Sequence, residues 1–211
     1  MTTALEMALD AALTDHNLLD HPFYRRWELG EVSRDELARY AEQYRFFEAM
    51  FPEFLESLAS QLPEGPARQA VLDNLNDEVS APSHLSLFEQ FASFFNATDA
   101  PISPAMSTLV ESYATLLELG ASESLAGLWA YEAQGAQIAQ TKADGLVTHY
   151  GASPTATEFW TVHGLVEGNH ARWTLEALKV LDTDPVEAQS AARMIGDAWW
   201  SFLDERELLA A

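Results

Sequence analysis

The sequence predicts an all-α protein. Alanine, leucine and glutamate, which favour helices, far outnumber the β-branched residues. Almost every segment repeats its apolar residues with the period of a helix, and no segment shows the alternation of a half-buried strand. The 211 residues, of which 48% are hydrophobic, suit one domain with a substantial core, which we expect to span residues 1–211.

Local signals in the first part of the chain mark the helix boundaries. An amphipathic stretch covers residues 3–15, and His21-Pro22 then breaks the pattern. Ser33 and Glu36 form a capping box, which predicts the start of a long helix that continues to about residue 60.

Prolines and glycines punctuate the rest of the chain. Pro52 is expected to kink or split the long helix. Helices are predicted over about 66–79 and 84–96, with an interruption at Pro82, so that seven or eight helices result in all. Further signals are Ser103-Pro104, Ser153-Pro154 and Asp184-Pro185 at helix starts, Gly120 at a helix end, and Gly145 and Gly151 around another end.

Composition excludes several classes of function. The net charge of −22, from 33 acidic and 11 basic residues, would repel a nucleic-acid backbone or an anionic membrane, so we expect neither partner. The lack of cysteine excludes disulfides, iron–sulfur clusters and a thiol nucleophile. No signal peptide and no run of 18 apolar residues is seen, which predicts a cytoplasmic protein.

The strongest chemical signal is a set of three side chains on one helix. Steps of four and seven residues from His163 to Glu167 and His170 rotate by about 40° and −20° from the start, so all three share one face. Two imidazoles and a carboxylate on one face are typical of a metal site, although a histidine pair at this spacing also occurs by chance.

Three further residues strengthen the prediction of a metal site. Glu132 lies in an apolar helix, where a carboxylate is costly to bury unless it is paired or bound to a metal. Glu78 ends another helix, and His84 follows shortly afterwards. With the first three, these make six oxygen and nitrogen ligands, which suits two iron or manganese ions. A ferritin-like bundle would need a second Glu-x-x-His pair, which the chain lacks.

At this point the chain resembles the group of the Chlamydia protein associating with death domains, within the haem-oxygenase-like dimetal oxidase superfamily. The resemblance extends from about His16 to Leu203. It implies a seven-helix haem-oxygenase-like bundle that is usually a homodimer. The stretches that carry it are residues 21–27, 72–78, 128–132 and 163–170.

The resemblance implies how the metal ligands divide. Glu78, His84 and Glu132 would serve one ion, with Glu132 bridging, and the other three ligands would complete an Fe/Fe or Mn/Fe pair that uses O2 and an external reductant. The family usually spaces its first glutamate and histidine seven residues apart, which leaves Asp77 as an alternative to Glu78. The position of Glu167 is often aspartate in relatives.

The resemblance also implies a function. Its members include a para-aminobenzoate synthase of folate biosynthesis that takes the ring from one of its own tyrosines and nitrogen from one of its own lysines. The matching residues are Tyr24 and Lys142, and Lys142 is one of only two lysines in the chain. Tyr40 and Tyr131 match tyrosines near the family's metal site and would pass oxidising equivalents or serve as core aromatics.

Other functions remain as alternatives. A dimetal oxidase on the same scaffold could act on an external small molecule such as a fatty acid or amino acid. A thiaminase would need a cysteine, and a haem oxygenase using His16 would leave the six ligands unexplained. No feature of the sequence supports binding to a death domain.

Overall fold

The structure, a computed structural model, describes residues 2–209 with the exception of the Glu167 side chain. Over this part of the chain it contains only helices, which confirms the predicted all-α class. The elements are α1 (Ala4–Leu13), a short 3₁₀ helix (Leu18–Asp20), α2 (Pro22–Glu28), α3 (Arg34–Gln61), α4 (Pro66–Val79), α5 (His84–Phe94), α6 (Pro104–Leu119), α7 (Ala121–Tyr150), α8 (Pro154–Val180) and α9 (Pro185–Leu208). Within the described residues the nine α-helices exceed the seven or eight predicted, because proline-containing segments separate short helices such as α2 from the longer ones.

Most helices begin where their capping residues predict. The Ser33 hydroxyl accepts from the backbone of Glu36, and the Glu36 carboxylate accepts from the backbone of Ser33. Ser103, Ser153 and Asp184 each cap a helix whose first residue is proline. These contacts satisfy backbone N–H groups that have no partner within the helix.

Of the two outcomes predicted at Pro52, a kink or a split, the split is wrong, because α3 runs unbroken from Arg34 to Gln61. Pro52 has no N–H to donate to the carbonyl of Glu48, so one helical hydrogen bond is missing there. Phe51, Phe54 and Leu55 are buried around the proline. Their burial holds the helix together across a residue that disfavours it.

Gly145 and Gly151 lie on either side of the end of α7, as predicted, because α7 ends at Tyr150 and Gly151 caps it in the left-handed conformation. Gly145 lies inside the helix, where α7 passes close to Trp27 of α2. A Cβ atom at position 145 would lie 3.0 Å from Cδ1 and 3.2 Å from the backbone oxygen of Trp27. Gly145 is therefore required for the close packing of the two helices.

The helix α7 lies at the centre of the arrangement. It packs against α8, α9, α6 and α2, and α8 packs in turn against α4 and α5. Aromatic side chains of α2, α3, α8 and α9 fill the space between these helices. Within the described residues, no helix is long and apolar enough to cross a membrane.

We predict that Gly145→Ala lowers the free energy of unfolding, although alanine favours a helix more than glycine does. Overpacking against Trp27 is expected to cost about 1–3 kcal/mol. Gly168→Ala is the matched control, because no atom lies within 4 Å of a Cβ at that helical position. The control should gain up to about 1 kcal/mol. Equal shifts of both variants in urea unfolding would contradict the packing argument.

Candidate metal centre and adjoining tyrosine–lysine cluster

Three predicted ligands converge between α4, α5 and α8. Glu78 at the end of α4, His84 at the start of α5 and His163 of α8 each offer a ligand atom within 4.8 Å of the others. All three residues are buried. The turn between α4 and α5 brings Glu78 and His84 together, and the packing of both helices on α8 adds His163.

The contacts within this group suit a metal ion. Oε2 of Glu78 lies 2.8 Å from Nδ1 of His84, but the pair does not have the alignment of a hydrogen bond. Nδ1 of His163 donates to the carbonyl oxygen of Phe159 at 2.9 Å, so Nε2 presents its lone pair. Burial, together with nearby His84, holds the pKa of His163 well below its usual range. The imidazole is therefore neutral, which is the form that binds metals.

The structure places Glu78 and not Asp77 in this group. Asp77 is partly exposed, and its Oδ2 lies 3.2 Å from Nε2 of His170. His170 is itself buried, and burial lowers its pKa. His170 thus lies beside the three-residue group without joining it, and Asp77 is its contact at the protein surface.

Glu132 lies next to the group and is held by two hydrogen bonds. Nδ2 of Asn74 donates to its Oε1 at 2.5 Å, and Oγ1 of Thr174 donates to its Oε2 at 2.6 Å. Burial raises the pKa of Glu132 to about 8, against the effect of these two donors, and nearby Glu78 adds to the increase. The remaining predicted ligand, Glu167, has its side chain outside the described residues.

The donor set fits iron or manganese. It offers carboxylate oxygens and imidazole nitrogens with no sulfur, a combination that both metals accept. The carboxylates of Glu78 and Glu132 are buried close enough to repel one another. A bound cation would remove that repulsion and the cost of burying both charges.

The predicted tyrosine and lysine form a second cluster. Lys142 is only 2% exposed, and its Nζ donates to the hydroxyl of Tyr40 at 2.8 Å. The Tyr40 hydroxyl is also 3.0 Å from that of Tyr24. Nζ lies 4.4 Å from the centre of the Tyr24 ring and 4.0 Å from that of Trp160. Burial holds the pKa of Lys142 well below its usual range, which favours the neutral amine.

Lys142 reaches this cluster through its side chain. The helix α7, which carries it, is continuous from Ala121 to Tyr150. The lysine meets Tyr24 and Tyr40 from α2 and α3, and does not need to approach Glu132 on its own helix. The expected pair of Tyr24 and Lys142 is thus in contact in the structure.

A small cavity connects the two clusters. The space open to the centre of a water-sized molecule is about 20 Å³. Its walls include Tyr24, Lys142, Tyr131 and His163, so one residue of the metal group and both members of the tyrosine–lysine pair face the same space. Tyr131 bonds through its hydroxyl to that of Tyr44 at 3.0 Å and stacks on Trp199. A cavity of this size holds about one small molecule.

The sequence prediction missed Glu48, Asn74 and Thr174. Glu48 of α3 is 2% exposed and its Oε2 has no hydrogen-bond partner. Burial raises the pKa of Glu48, with Glu78 raising it further and Lys142 opposing the shift. The signal was available, since Glu48 stands in an apolar stretch just as Glu132 does. Asn74 and Thr174 gave no such signal, because polar residues are common on helices.

Comparisons with known proteins agree with the resemblance predicted from the sequence. Residues 38–202 match a family described as iron-containing redox enzymes. The chain is 33% identical over 225 residues to the 4-aminobenzoate synthase of Nitrosomonas europaea, covering 96% of this chain and 91% of that protein. It is 30% identical over 206 residues to the 4-aminobenzoate synthase of Chlamydia muridarum, covering 93% and 87%.

The fold also has a close counterpart among solved structures. A TenA homolog from Pseudomonas syringae superposes with a TM-score of 0.85, covering 97% of this chain and 93% of that one. At 13% identity this likeness concerns the fold alone. With the family match, it confirms the predicted haem-oxygenase-like fold.

We predict that Glu78→Ala removes bound metal, whereas Asp77→Ala, its neighbour on the same helix, has the smaller effect. The reason is that Glu78 and not Asp77 meets His84 and His163. Elemental analysis of the purified proteins measures iron and manganese per chain. Loss of metal from Asp77→Ala with full loading of Glu78→Ala would contradict the assignment.

A second prediction concerns the pH dependence of the metal-free protein. The pKa of Glu132 is about 8 in the folded state against 4.5 as its ordinary value, so the folded state binds this proton more tightly. Its contribution to the free energy of unfolding is present below pH 4.5 and is lost as the pH rises to about 8. The loss amounts to at most about 1.4 kcal/mol per pH unit.

The difference between wild type and Glu132→Gln isolates this contribution from those of the histidines and Lys142. It should shift in favour of the variant as the pH of chelator-treated samples rises from 5 to 8. Glu64→Gln, at an exposed site, should show no such trend. A pH-independent difference for Glu132→Gln would mean that the carboxylate is not destabilised by burial.

Proposed function

The chain belongs to the iron-containing redox enzyme family, and from this membership and the geometry of its site we propose that it is a para-aminobenzoate synthase. It is an oxidoreductase that produces para-aminobenzoate for folate biosynthesis. In our proposal, Tyr24 supplies the aromatic ring and Lys142 supplies the amino group. The observation that carries this proposal is the buried contact between the two residues, with Nζ 4.4 Å from the ring centre.

The structure of the product specifies which bonds must change. Para-aminobenzoate carries its carboxyl and amino groups at opposite ring positions, where tyrosine carries Cβ and the hydroxyl. The Cα–Cβ bond of Tyr24 must therefore break, and Cβ must be oxidised to the carboxyl carbon. The nitrogen of Lys142 must replace the phenol oxygen and part from its own Cε.

Tyr40 connects the amine and the phenol in this proposal. Its hydroxyl bonds to Nζ of Lys142 at 2.8 Å and to the hydroxyl of Tyr24 at 3.0 Å. Nζ lies over the Tyr24 ring, 4.4 Å from its centre. The lowered pKa of Lys142 favours the unprotonated amine, whose lone pair can form a bond.

The side chains around the amine exclude water, and some of them can take up a proton or pass an oxidising equivalent. The rings of Trp27, Trp160 and Tyr44 lie within 5.6 Å of Nζ and leave no bulk solvent at the amine. Glu48 is the acidic group within electrostatic reach of Lys142, so it can hold a proton that the ammonium form gives up. Tyr44 and Tyr131 line the cavity and share a hydrogen bond, and in this proposal they pass an oxidising equivalent.

The oxidation requires metal ions. Glu78, His84, Glu132, His163, Glu167 and His170 would hold an Fe/Fe or Mn/Fe pair. Bound there, the metals would supply the oxidising power, with O2 as the oxidant and an external reductant as the electron source. Such a pair would lie beside the cavity that Tyr24 and Lys142 share with His163.

An enzyme that oxidises an external fatty acid or amino acid needs a pocket for it. The space beside His163 is about 20 Å³, which suits a molecule the size of O2 or water. Tyr24 lines this space together with Tyr44, Tyr131, Trp160 and Trp199, so rings of the chain itself already form its walls. The cavity thus supports the internal source over the external alternative.

Assembly and location complete the proposal. We propose a homodimer in the cytoplasm, with an electron donor of unspecified identity. The family resemblance supports the homodimer, and the sequence supports the location.

We predict that metal-loaded protein, given reductant and O2 without any aromatic substrate, releases para-aminobenzoate and loses the corresponding mass from its chain. Tyr24→Phe removes the hydroxyl that the amine must replace, and Lys142→Arg removes the amine. Each should reduce product to background while the metals remain. Chromatography of the product and intact-protein mass spectrometry make the measurement.

Matched controls are present in the chain. Lys179→Arg changes the other lysine, which pairs with Glu6 and Glu176 near the surface, and Tyr150→Phe changes a tyrosine that bonds to Val32. Both should keep wild-type product levels. Wild-type product from Tyr24→Phe would exclude self-sacrifice and favour an external substrate.

A further inference from the structure

Glu132 is held by one polar side chain from each of two neighbouring helices. Asn74 of α4 donates to Oε1 and Thr174 of α8 donates to Oε2, at 2.5 Å and 2.6 Å. Asn74 is 3% exposed, Thr174 5% and Glu132 1%. Both oxygens of a buried carboxylate are therefore bound by side chains that are themselves almost completely buried.

The two donors are built into the same helices as the proposed ligands. Asn74 lies four residues before Glu78, and Thr174 lies four residues after His170. One helical turn separates each donor from its ligand, so donor and ligand share a face. The hydrogen bonds thus connect the ligand-bearing faces of α4 and α8 through Glu132 of α7.

The Thr174 hydroxyl differs from those of Thr157 and Thr161 on the same helix. Thr157 and Thr161 both donate to backbone carbonyls of their own helix, at Ser153 and Thr157. A helical threonine does this by default, because the carbonyl four residues earlier is within reach. Thr174 instead donates across to another helix.

From these contacts we propose that Asn74 and Thr174 are positioning residues, which set the orientation of the Glu132 carboxylate for bridging two metal ions. This inference rests on the proposed function, since it takes Glu132 as a ligand. Each carboxylate oxygen carries two lone pairs, and a hydrogen bond occupies one of them. The two donors therefore fix the plane of the carboxylate and leave one lone pair on each oxygen for a metal.

Removing either donor should weaken metal binding without removing a ligand. Partners that orient a ligand typically contribute 10–100-fold to metal affinity. The affinity for the second ion should decrease most. A bridging carboxylate uses both of its oxygens as ligands only when both ions are bound. Loss of the Thr174 hydroxyl should weaken metal binding, whereas loss of the Thr174 methyl group should not.

The test is a titration of metal-free protein with Co²⁺, whose visible absorption reports its ligands. Thr174→Val and Asn74→Ala should each raise the dissociation constant for the second ion by about 10–100-fold and change its absorption spectrum. Thr174→Ser, which keeps the hydroxyl, should restore both to near wild-type values. Thr157→Val and Asn76→Ala make the same changes on the same helices away from Glu132 and should leave binding unchanged.

The outcomes separate this inference from the proposed function. Two ions bound by wild type with unchanged affinity in Thr174→Val would overturn the positioning role and leave the metal site intact. Weakening in Thr174→Ser equal to that in Thr174→Val would also overturn it, because the hydroxyl would then be irrelevant. Failure of wild type to bind two ions would refute the metal site itself, and with it this role for both residues.

Discussion

Burial of ionisable side chains in a helical core is the constraint on which the rest of this structure depends. Glu48, Glu78, Glu132 and Lys142 are each 4% exposed or less. In a medium of low dielectric constant, every one of them is costly unless a partner or a change of protonation offsets the cost. The two arrangements that result are a set of carboxylates and imidazoles that suits cations, and a lysine among aromatic rings whose pKa burial lowers.

The metal-ligand group and the tyrosine–lysine cluster face the same cavity. Lys142 and Tyr24 face the cavity from one side and His163 faces it from another. An oxidant generated at the metal ligands would therefore meet a tyrosine ring that is already in place. The small volume of the cavity, about 20 Å³, keeps other molecules out of that space. The burial that makes the charged side chains costly would thus also keep other molecules away from the proposed reaction.

Hydrogen bonds between helices hold both clusters in place within the bundle. Tyr40 of α3 joins Lys142 of α7 to Tyr24 of α2, and Glu132 of α7 is joined to α4 and α8. The central helix α7 takes part in both networks, one near its middle and one further along. Its position in the bundle in turn depends on close packing, as at Gly145 against Trp27. A packing defect at α7 would therefore disturb the hydrogen-bond geometry of both clusters.

The sequence by itself determined the helical class, most helix starts and the shared face of His163 and His170. Caps such as Ser33 with Glu36 act within one turn, and the helical period is the same in every helix, so these features need only local information. The family resemblance added the pair of Tyr24 and Lys142. Only the tertiary structure decided that Glu78 meets His84 and His163, that Pro52 lies in an unbroken helix, and that Asn74 and Thr174 bond to Glu132. It also decided that Glu48 lies within electrostatic reach of Lys142. These depend on how helices far apart in the chain pack together, and a pattern along one segment contains no information about the side chains that another segment will bring to it.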